Sequence, residues 1–77
     1  LALTRKLADA PGSARTLNNI GINLKNLGRL DESEAALRES LALFRQLDSP
    51  AGLAGAASNL ALTLHKRGDL AAAEALQ

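Results

Sequence analysis

The chain has 77 residues, a formal net charge of +1, no cysteine, and Phe44 as its one aromatic residue. Without cysteine it can form no disulfide, thiolate metal site or thiol nucleophile. The net charge by itself argues neither for nor against nucleic acid, and no apolar run approaches the ~20 residues of a transmembrane helix. Alanine, leucine and charged helix formers outnumber β-branched residues, which predicts an all-α fold.

The chain repeats itself at an offset of forty residues. Residues 1–14 (LALTRKLADAPGSA) align with residues 41–54 (LALFRQLDSPAGLA), and Gly28 aligns with Gly68. A period of ~20–50 residues is the signature of a stacked solenoid rather than a closed globule. We therefore expect an α-solenoid of stacked antiparallel helical hairpins, and we interpret the chain as a piece of a longer one.

The first predicted hairpin helix follows a cluster of breakers. Residues 1–10 are predicted to be the second helix of a preceding repeat, ended by Asp9-Ala10-Pro11-Gly12. Ser13 is the predicted N-cap of the next helix, and Gly28 is predicted to end it in the left-handed conformation. Apolar and small residues recur on one face of this helix at alternate steps of three and four. They are Ala14, Leu17, Ile20, Gly21, Leu24 and Leu27.

Repeat 1 is predicted to span residues 13–50, with its second helix after the connection Gly28-Arg29-Leu30. Asp31 is the predicted N-cap of that helix, and Glu34 three residues on completes a capping box. Asp48-Ser49-Pro50 is expected to stop the helix. Because so short a connection can only reverse the chain, the two helices should be antiparallel.

Repeat 2 is predicted to span residues 53–77 on the same plan, truncated in its second helix. Gly68 should end its first helix, and a fourth helix should run over residues 70–77. That helix lacks an acidic cap, since Ala71 replaces Asp31. The buried face of the first helix of repeat 2 is expected to consist of Leu53, Ala54, Ala57, Leu60, Ala61 and Leu64.

Small residues are predicted where the two helices of each hairpin cross. A larger side chain at such a position would push the helices apart. The predicted pairs are Gly21 with Ser33 in repeat 1, and Ala61 with Ala73 in repeat 2.

These residues resemble the tetratricopeptide repeat, whose pattern is W-x₂-L-G-x₂-Y and then A-x₃-F over roughly 34 residues. Residues 17–24 (LNNIGINL) and 57–64 (ASNLALTL) match its first part, followed by residues 33–37 (SEAAL) and by Ala73. The sequence departs from the pattern in three ways. No aromatic residues fill the Trp and Tyr positions, Arg45 replaces the closing Pro, and the period is forty residues.

The longer period and the Asn-Asn-Ile-Gly stretch at 18–21 resemble the variant seen in kinesin light chains, polarity-complex scaffolds and bacterial regulators. In that variant the first helices line a concave groove, and an asparagine before the Leu/Ile-Gly pair often contacts the backbone of a bound peptide. Asn19 and Asn59 match that position. The alternative for both is a structural hydrogen bond to a neighbouring helix. The resemblance implies a protein–protein interaction scaffold.

The charge distribution points to a basic groove independently of the family. The stretches 13–30 and 49–68, which hold the first helices, contain basic residues and no acid. A surface lined by these helices would attract an acidic peptide, although cations are also favoured near helix C-termini. Ile22 and Leu62 would contact a ligand side chain or pack on a neighbouring repeat. The candidate peptide-binding residues are Arg15, Asn18, Asn19, Ile22, Lys25, Ser58, Asn59, Leu62, His65 and Lys66.

Other functions find little support in the sequence. His65 is the one imidazole, and without a second His or Cys we expect no metal and no cofactor. No nucleophile accompanies it, so we expect no enzyme. A helix-turn-helix DNA reader fits poorly with hairpins at a fixed period and a net charge near zero. We expect neither nucleic acid nor membrane as a partner.

The expected function is a scaffold that binds an extended peptide, of which an acidic one is a candidate, or a partner helix in its groove. The alternative is a self-associating or regulatory helical segment of a larger signalling or transcription-regulatory protein, and a third reading is an accessory segment of an enzyme. The ends carry uncapped apolar residues, so we also expect residues 1–8 to contact residues 70–77 of a neighbouring molecule. The compartment stays open, with the cytoplasm as the expectation.

Overall fold

The computed structural model describes the backbone of residues 10–75 and the side chains of residues 12–70. It contains three α-helices: α1 is Ala10–Asn26, α2 is Leu30–Gln46 and α3 is Pro50–Ala75. No strand occurs among the described residues, and the all-α prediction is confirmed. Each helix begins twenty residues after the one before it, so two helix-and-turn units make up the forty-residue repeat.

Two helices begin earlier than the sequence predicted. The range 10–12 forms the first turn of α1, where we expected a breaker followed by an N-cap at Ser13. Proline suits a first turn because the N–H it lacks would have no intrahelical partner there. For the same reason α3 begins at Pro50 rather than at Leu53. The helix predicted over residues 1–10 lies, apart from Ala10, outside the described residues.

The first turn has the glycine geometry that the sequence predicted. Gly28 has a φ of 83°. Its amide donates to the carbonyl of Lys25 at 3.0 Å, and the amide of Arg29 donates to the carbonyl of Leu24 at 2.9 Å. This pair of bonds is a Schellman motif, which satisfies carbonyls at the C-terminus of α1.

The second turn uses the same motif without a glycine. Asp48 has a φ of 51°, and its amide donates to the carbonyl of Arg45 at 3.1 Å. The amide of Ser49 donates to the carbonyl of Phe44, also at 3.1 Å. An L-residue other than glycine costs about 1 kcal/mol in this conformation, so the second turn is the more strained of the two.

The predicted capping box of α2 is wrong. The N-cap is Arg29, which makes no side-chain hydrogen bond, and Asp31 is the second helical residue. Leu30 is only 7% exposed, and its burial as the first helical residue sets this register. Asp31 instead forms an ion pair with Arg67 of α3 at 3.0 Å. It still lies in the first turn, where the helix dipole favours an acid.

Helix α2 is central and packs on both neighbours through glycines. Gly21 of α1 is buried against Leu37, which is fully buried, and a Cβ at Gly21 would lie 2.5 Å from the Leu37 Cγ. A Cβ at Gly52 of α3 would overlap the ring of Phe44. Glycine therefore permits close approach at both crossings, since any side chain there would displace a neighbour.

Buried serines of α2 join the helices by hydrogen bonds. Ser33 Oγ donates to the carbonyl of Gly21 at 2.6 Å and lies 3.1 Å from Oγ1 of Thr63 on α3. Ser40 Oγ donates to the carbonyl of Ala14 at 2.7 Å. Small side chains that find a backbone acceptor can be buried without an unsatisfied polar group. The predicted close pairing of Gly21 with Ser33 is confirmed.

Helix α3 departs most from the sequence prediction. It continues through Gly68 to Ala75 as one helix of 26 residues, so the turn predicted at Gly68 and the separate helix predicted over residues 70–77 are wrong for the described part of the chain. After the first turn Leu30 is buried, whereas its counterpart Leu70 is 52% exposed. The alanines that follow favour a continuous helix.

The predicted buried face of α3 is also wrong. The helix packs on α2 through a neighbouring face on which Gly52 meets Phe44 and Thr63 meets Ser33, with Ala56 fully buried between them. The predicted face was meant to cover a fourth helix, which does not form among the described residues. Leu53 and Leu60 are half-buried, and the exposed members of that face are Ala54, Ala57, Ala61 and Leu64.

The assignment of residues 1–10, 13–50 and 53–77 to successive repeats stays a prediction. The pair of Ala61 with Ala73 also stays one, since Ala73 lies outside the described side chains. The expected contact of residues 1–8 with a neighbouring molecule falls on residues that the structure does not describe.

Candidate functional site

An amide bridge joins α1 to α3. Asn59 Nδ2 donates to Asn18 Oδ1 at 2.9 Å, and both side chains are half-buried. Since α1 and α3 are each antiparallel to α2, they run in the same direction, and this bond ties them side by side. Asn19, which was predicted to contact a ligand together with Asn59, is exposed, and its role as a ligand contact stays a prediction. The residue that bonds to Asn59 is its neighbour Asn18.

Two stripes of side chains flank this bridge. On α1 the residues that share a face with Asn18 occur three, four and seven positions from it, and on α3 two residues stand in the same relation to Asn59. Leu62 is 50% exposed, and Ile22 is half-buried. We call the two stripes together the α1–α3 surface. Its members are Arg15, Asn18, Ile22, Lys25, Asn59, Leu62 and Lys66.

A cleft lies at one end of the α1–α3 surface. Its volume is about 340 Å³, and it brings Lys25 of α1 and Lys66 of α3 to the same opening. Neither lysine forms an ion pair with a described side chain. These two ammonium groups outnumber the one carboxylate in the lining, that of Asp69, so the cleft has a net positive charge that favours an anion. The cleft is lined by Lys25, Gly28, Leu30, Lys66, Asp69 and Leu70.

Three predicted site residues lie at the edges of this arrangement. Asn19 and Ser58 are exposed, outside both stripes. His65 is exposed as well, and its Nε2 lies 3.6 Å from Oδ2 of Asp69, one helical turn away. The sequence contains the signal for this pair, since a carboxylate stands four residues after the imidazole.

The basic stretch 65–67 is divided by the helix between two surfaces. Lys66 lines the cleft, whereas Arg67 faces α2 and forms ion pairs with Asp31, at 3.0 Å, and with Glu34. Arg38 adds a further ion pair to Glu34 at 3.0 Å. Arg67 therefore holds α3 against the start of α2, and its charge is compensated there. Only the crossing of α3 over α2 reveals this role, because the partners are distant in sequence.

Among the described residues, no group of three or more His, Cys, Asp or Glu side chains is placed to hold a metal ion. None of the described helices has the length and hydropathy to cross a bilayer.

A family model described as tetratricopeptide repeat matches residues 12–77, which include all of α2 and α3 and nearly all of α1. No curated protein and no solved structure matches the chain.

Proposed function

The chain belongs to the tetratricopeptide repeat family of non-catalytic protein–protein interaction modules, and we propose that its α1–α3 surface binds an extended acidic peptide. A protein or peptide partner is what the family implies. The choice of this surface rests on the amide bridge between Asn18 and Asn59, which is the observation that carries the proposal.

The bridge leaves hydrogen-bonding capacity on both amides. The bond between them uses the carbonyl oxygen of Asn18 and one N–H of Asn59. The NH₂ group of Asn18 remains a donor, and the carbonyl oxygen of Asn59 remains an acceptor. One peptide unit of an extended chain needs both kinds of partner. The pair can therefore hold a peptide backbone without regard to its side chains.

The rest of the surface supplies charge and apolar contact. Lys25 and Lys66 lie beyond the bridge at the cleft, and Arg15 lies before it. Ile22 and Leu62 flank the bridge and can contact an apolar side chain of the ligand. The cations would raise the rate of association with an acidic peptide and suppress binding of a basic one.

The experiment measures binding of fluorescein-labelled peptides with one leucine between acidic residues. Peptides with lysine in place of the acids serve as the ligand control. We expect the acidic set to bind and its affinity to fall as salt rises, because exposed charge pairs are screened over ~8–10 Å at ~0.1–0.15 M salt. Equal affinity for the two sets would refute the acidic preference.

A charge-matched pair of variants tests the place of binding. Lys66→Glu should weaken binding of the acidic peptide several-fold, mainly through slower association. Arg45→Glu, which makes the same charge change on the exposed side of α2, should leave affinity nearly unchanged. Equal losses in the two variants would place the binding surface elsewhere.

A further inference from the structure

A pair of buried hydroxyl groups joins all three helices one turn away from the amide bridge. Thr63 Oγ1 on α3 lies 3.1 Å from Ser33 Oγ on α2, and Ser33 donates to the carbonyl of Gly21 on α1. Gly21 follows Asn18 by three residues, and Thr63 follows Asn59 by four. Both spacings keep the two residues on one face of a helix. The hydroxyl pair and the amide bridge are therefore neighbouring links between α1 and α3, the first through α2 and the second direct.

The two hydroxyls have fewer protons than contacts. Each donates one proton. The contacts within reach are Ser33 with the carbonyl of Gly21 at 2.6 Å, Ser33 with Thr63 at 3.1 Å, and Thr63 with the carbonyl of Asn59 at 3.1 Å. The shortest contact places the proton of Ser33 on Gly21. The proton of Thr63 is therefore shared between Ser33 and Asn59, so this hydroxyl ties a residue of the amide bridge to α2.

Burial holds this arrangement in place. Thr63 and Ser33 have no exposed surface, so neither hydroxyl can exchange its protein partner for bulk water. Within residues 12–70, no buried side-chain nitrogen or oxygen lacks a hydrogen-bond partner. A buried polar network in which every member is satisfied rigidifies the elements that it joins. The hydroxyl pair therefore fixes where α3 lies on α2.

The amide bridge depends on that position because α1 and α3 touch each other less than either touches α2. The separation of α1 and α3 is thus set mainly by how each packs on α2. The bridge from Asn59 to Asn18 is 2.9 Å long. A contact stretched to ~3.6 Å is no longer a hydrogen bond, so a shift of α3 by roughly 0.7 Å would break the bridge.

We propose that Thr63 is a positioning residue, whose hydroxyl holds α3 at the distance from α1 at which Asn59 meets Asn18. The consequence for ligand binding rests on the proposed function, whereas the positioning itself is a property of the free protein. The competing role for Thr63 is only to fill space between α2 and α3. The two roles predict opposite outcomes for two substitutions.

Thr63→Val and Thr63→Ser separate the two roles. Valine keeps the shape of threonine and removes the hydroxyl, and it leaves the proton of Ser33 on the carbonyl of Gly21. Serine keeps the hydroxyl and removes a methyl group, which leaves a small cavity. A residue that only fills space would tolerate valine better than serine. A positioning residue tolerates serine better in every measurement that reports the bridge.

The side-chain amide signals of Asn59 in a nitrogen–proton correlation NMR spectrum of the full chain report the bridge directly. Asn59→Ala identifies these signals, and Asn18→Ala shows where they lie when the acceptor is absent. Thr63→Val should move them toward their positions in Asn18→Ala, and Thr63→Ser should leave them near those of the wild type. The exposed amide of Asn23 on α1 is the internal control.

Two results of the NMR comparison would overturn the positioning role. One is unmoved Asn59 signals in Thr63→Val, and the other is an equal displacement in Thr63→Ser. Should Thr63→Val fail to fold, Ser33→Ala breaks the same link from the side of α2 and is expected to move the same signals.

Binding of the acidic peptides is the second measurement. Thr63→Val should weaken it about three- to tenfold, the range expected for one hydrogen bond, and Thr63→Ser by less than about twofold. The loss should lie in faster dissociation, because no charge changes, whereas Lys66→Glu slows association. A loss that follows the unfolding midpoints of the two variants rather than the hydroxyl would assign Thr63 to space filling. If the peptides fail to bind the wild type, the proposed function fails, and the NMR comparison alone decides the role of Thr63.

Discussion

At both crossings of α2 a glycine lets the helices approach closely, but the side chains that the two glycines meet differ in how far they can move. At the α1–α2 crossing Gly21 meets a fully buried Leu37, and a buried serine donates to the glycine carbonyl. At the α2–α3 crossing Gly52 meets Phe44, which is half-buried. The first crossing has no room to adjust, whereas the ring at the second can move toward solvent. A glycine's importance thus depends on the freedom of its neighbour.

The largest expected effect separates these two glycines. Gly21→Ala should lower the free energy of unfolding by about 1–2 kcal/mol, because overpacking costs ~1–3 kcal/mol and the helix propensity of alanine returns up to ~1 kcal/mol. Gly52→Ala should also lower it, but by less than Gly21→Ala, because the half-buried Phe44 ring can shift toward solvent to clear the new Cβ, whereas Leu37 is fully buried. Urea denaturation of both variants measures the difference.

Gly55→Ala is the control for that comparison. A Cβ at Gly55 meets nothing within 4 Å, so the variant should gain about 0.5–1 kcal/mol from helix propensity alone. Should Gly21→Ala gain stability as Gly55→Ala does, the close crossing of α1 and α2 would be disproved.

The two turns should show smaller changes in the free energy of unfolding than the two crossings. Gly28 and Asp48 occupy the same left-handed position of a Schellman motif. Gly28→Ala should cost about 1 kcal/mol, and Asp48→Gly should gain about 0.5–1 kcal/mol, because only glycine adopts this conformation without strain. Thermal unfolding should move in opposite directions for the two variants. Shifts of the same sign would show that the turns are not equivalent.

The smallest effect concerns the ion pairs of the second crossing. Arg67→Ala should cost no more than about 0.5–1 kcal/mol, because its pairs with Asp31 and Glu34 are partly solvated. The loss should shrink further at high salt. Lys25→Ala, which removes a cation without a described ion-pair partner, provides the baseline. A salt-independent loss above ~2 kcal/mol would mean that Arg67 packs on α2 rather than pairing with it.

Local sequence signals predicted the structure correctly where a residue type fits only one backbone conformation or one kind of packing. Gly28 could be recognised as a left-handed turn because other residues are strained there, and Gly21 as a close crossing because its helical face is otherwise apolar. The same reasoning failed at Asp31, where no cap forms. A carboxylate at a helix start can cap the helix, or it can pair with a cation from elsewhere in the fold. The sequence near Asp31 does not distinguish the two.

The sequence alone did not predict which of the candidate site residues meet. The pattern placed Asn18, Asn19 and Asn59 on the first helices of the repeats, but only the packing of α1 beside α3 shows that Asn18 and Asn59 bond to each other. Lys25 and Lys66 converge on one cleft for the same reason. Arg67, next to Lys66 in the chain, faces the opposite side, so a run of basic residues in sequence is not a basic patch in space.

The sequence by itself determined the helical content and the first turn, because these follow from propensities and backbone sterics of nearby residues. Tertiary structure decided between Gly28 and Gly68, which carry the same local signal. Leu30 is buried after the first glycine, and Leu70 is exposed after the second. Burial of a leucine therefore stabilises the first turn. The preference of glycine for the left-handed turn conformation is worth about 1 kcal/mol, whereas burial of one leucine contributes ~1.5–3 kcal/mol. Burial therefore outweighs the local preference, and burial depends on how the whole chain packs.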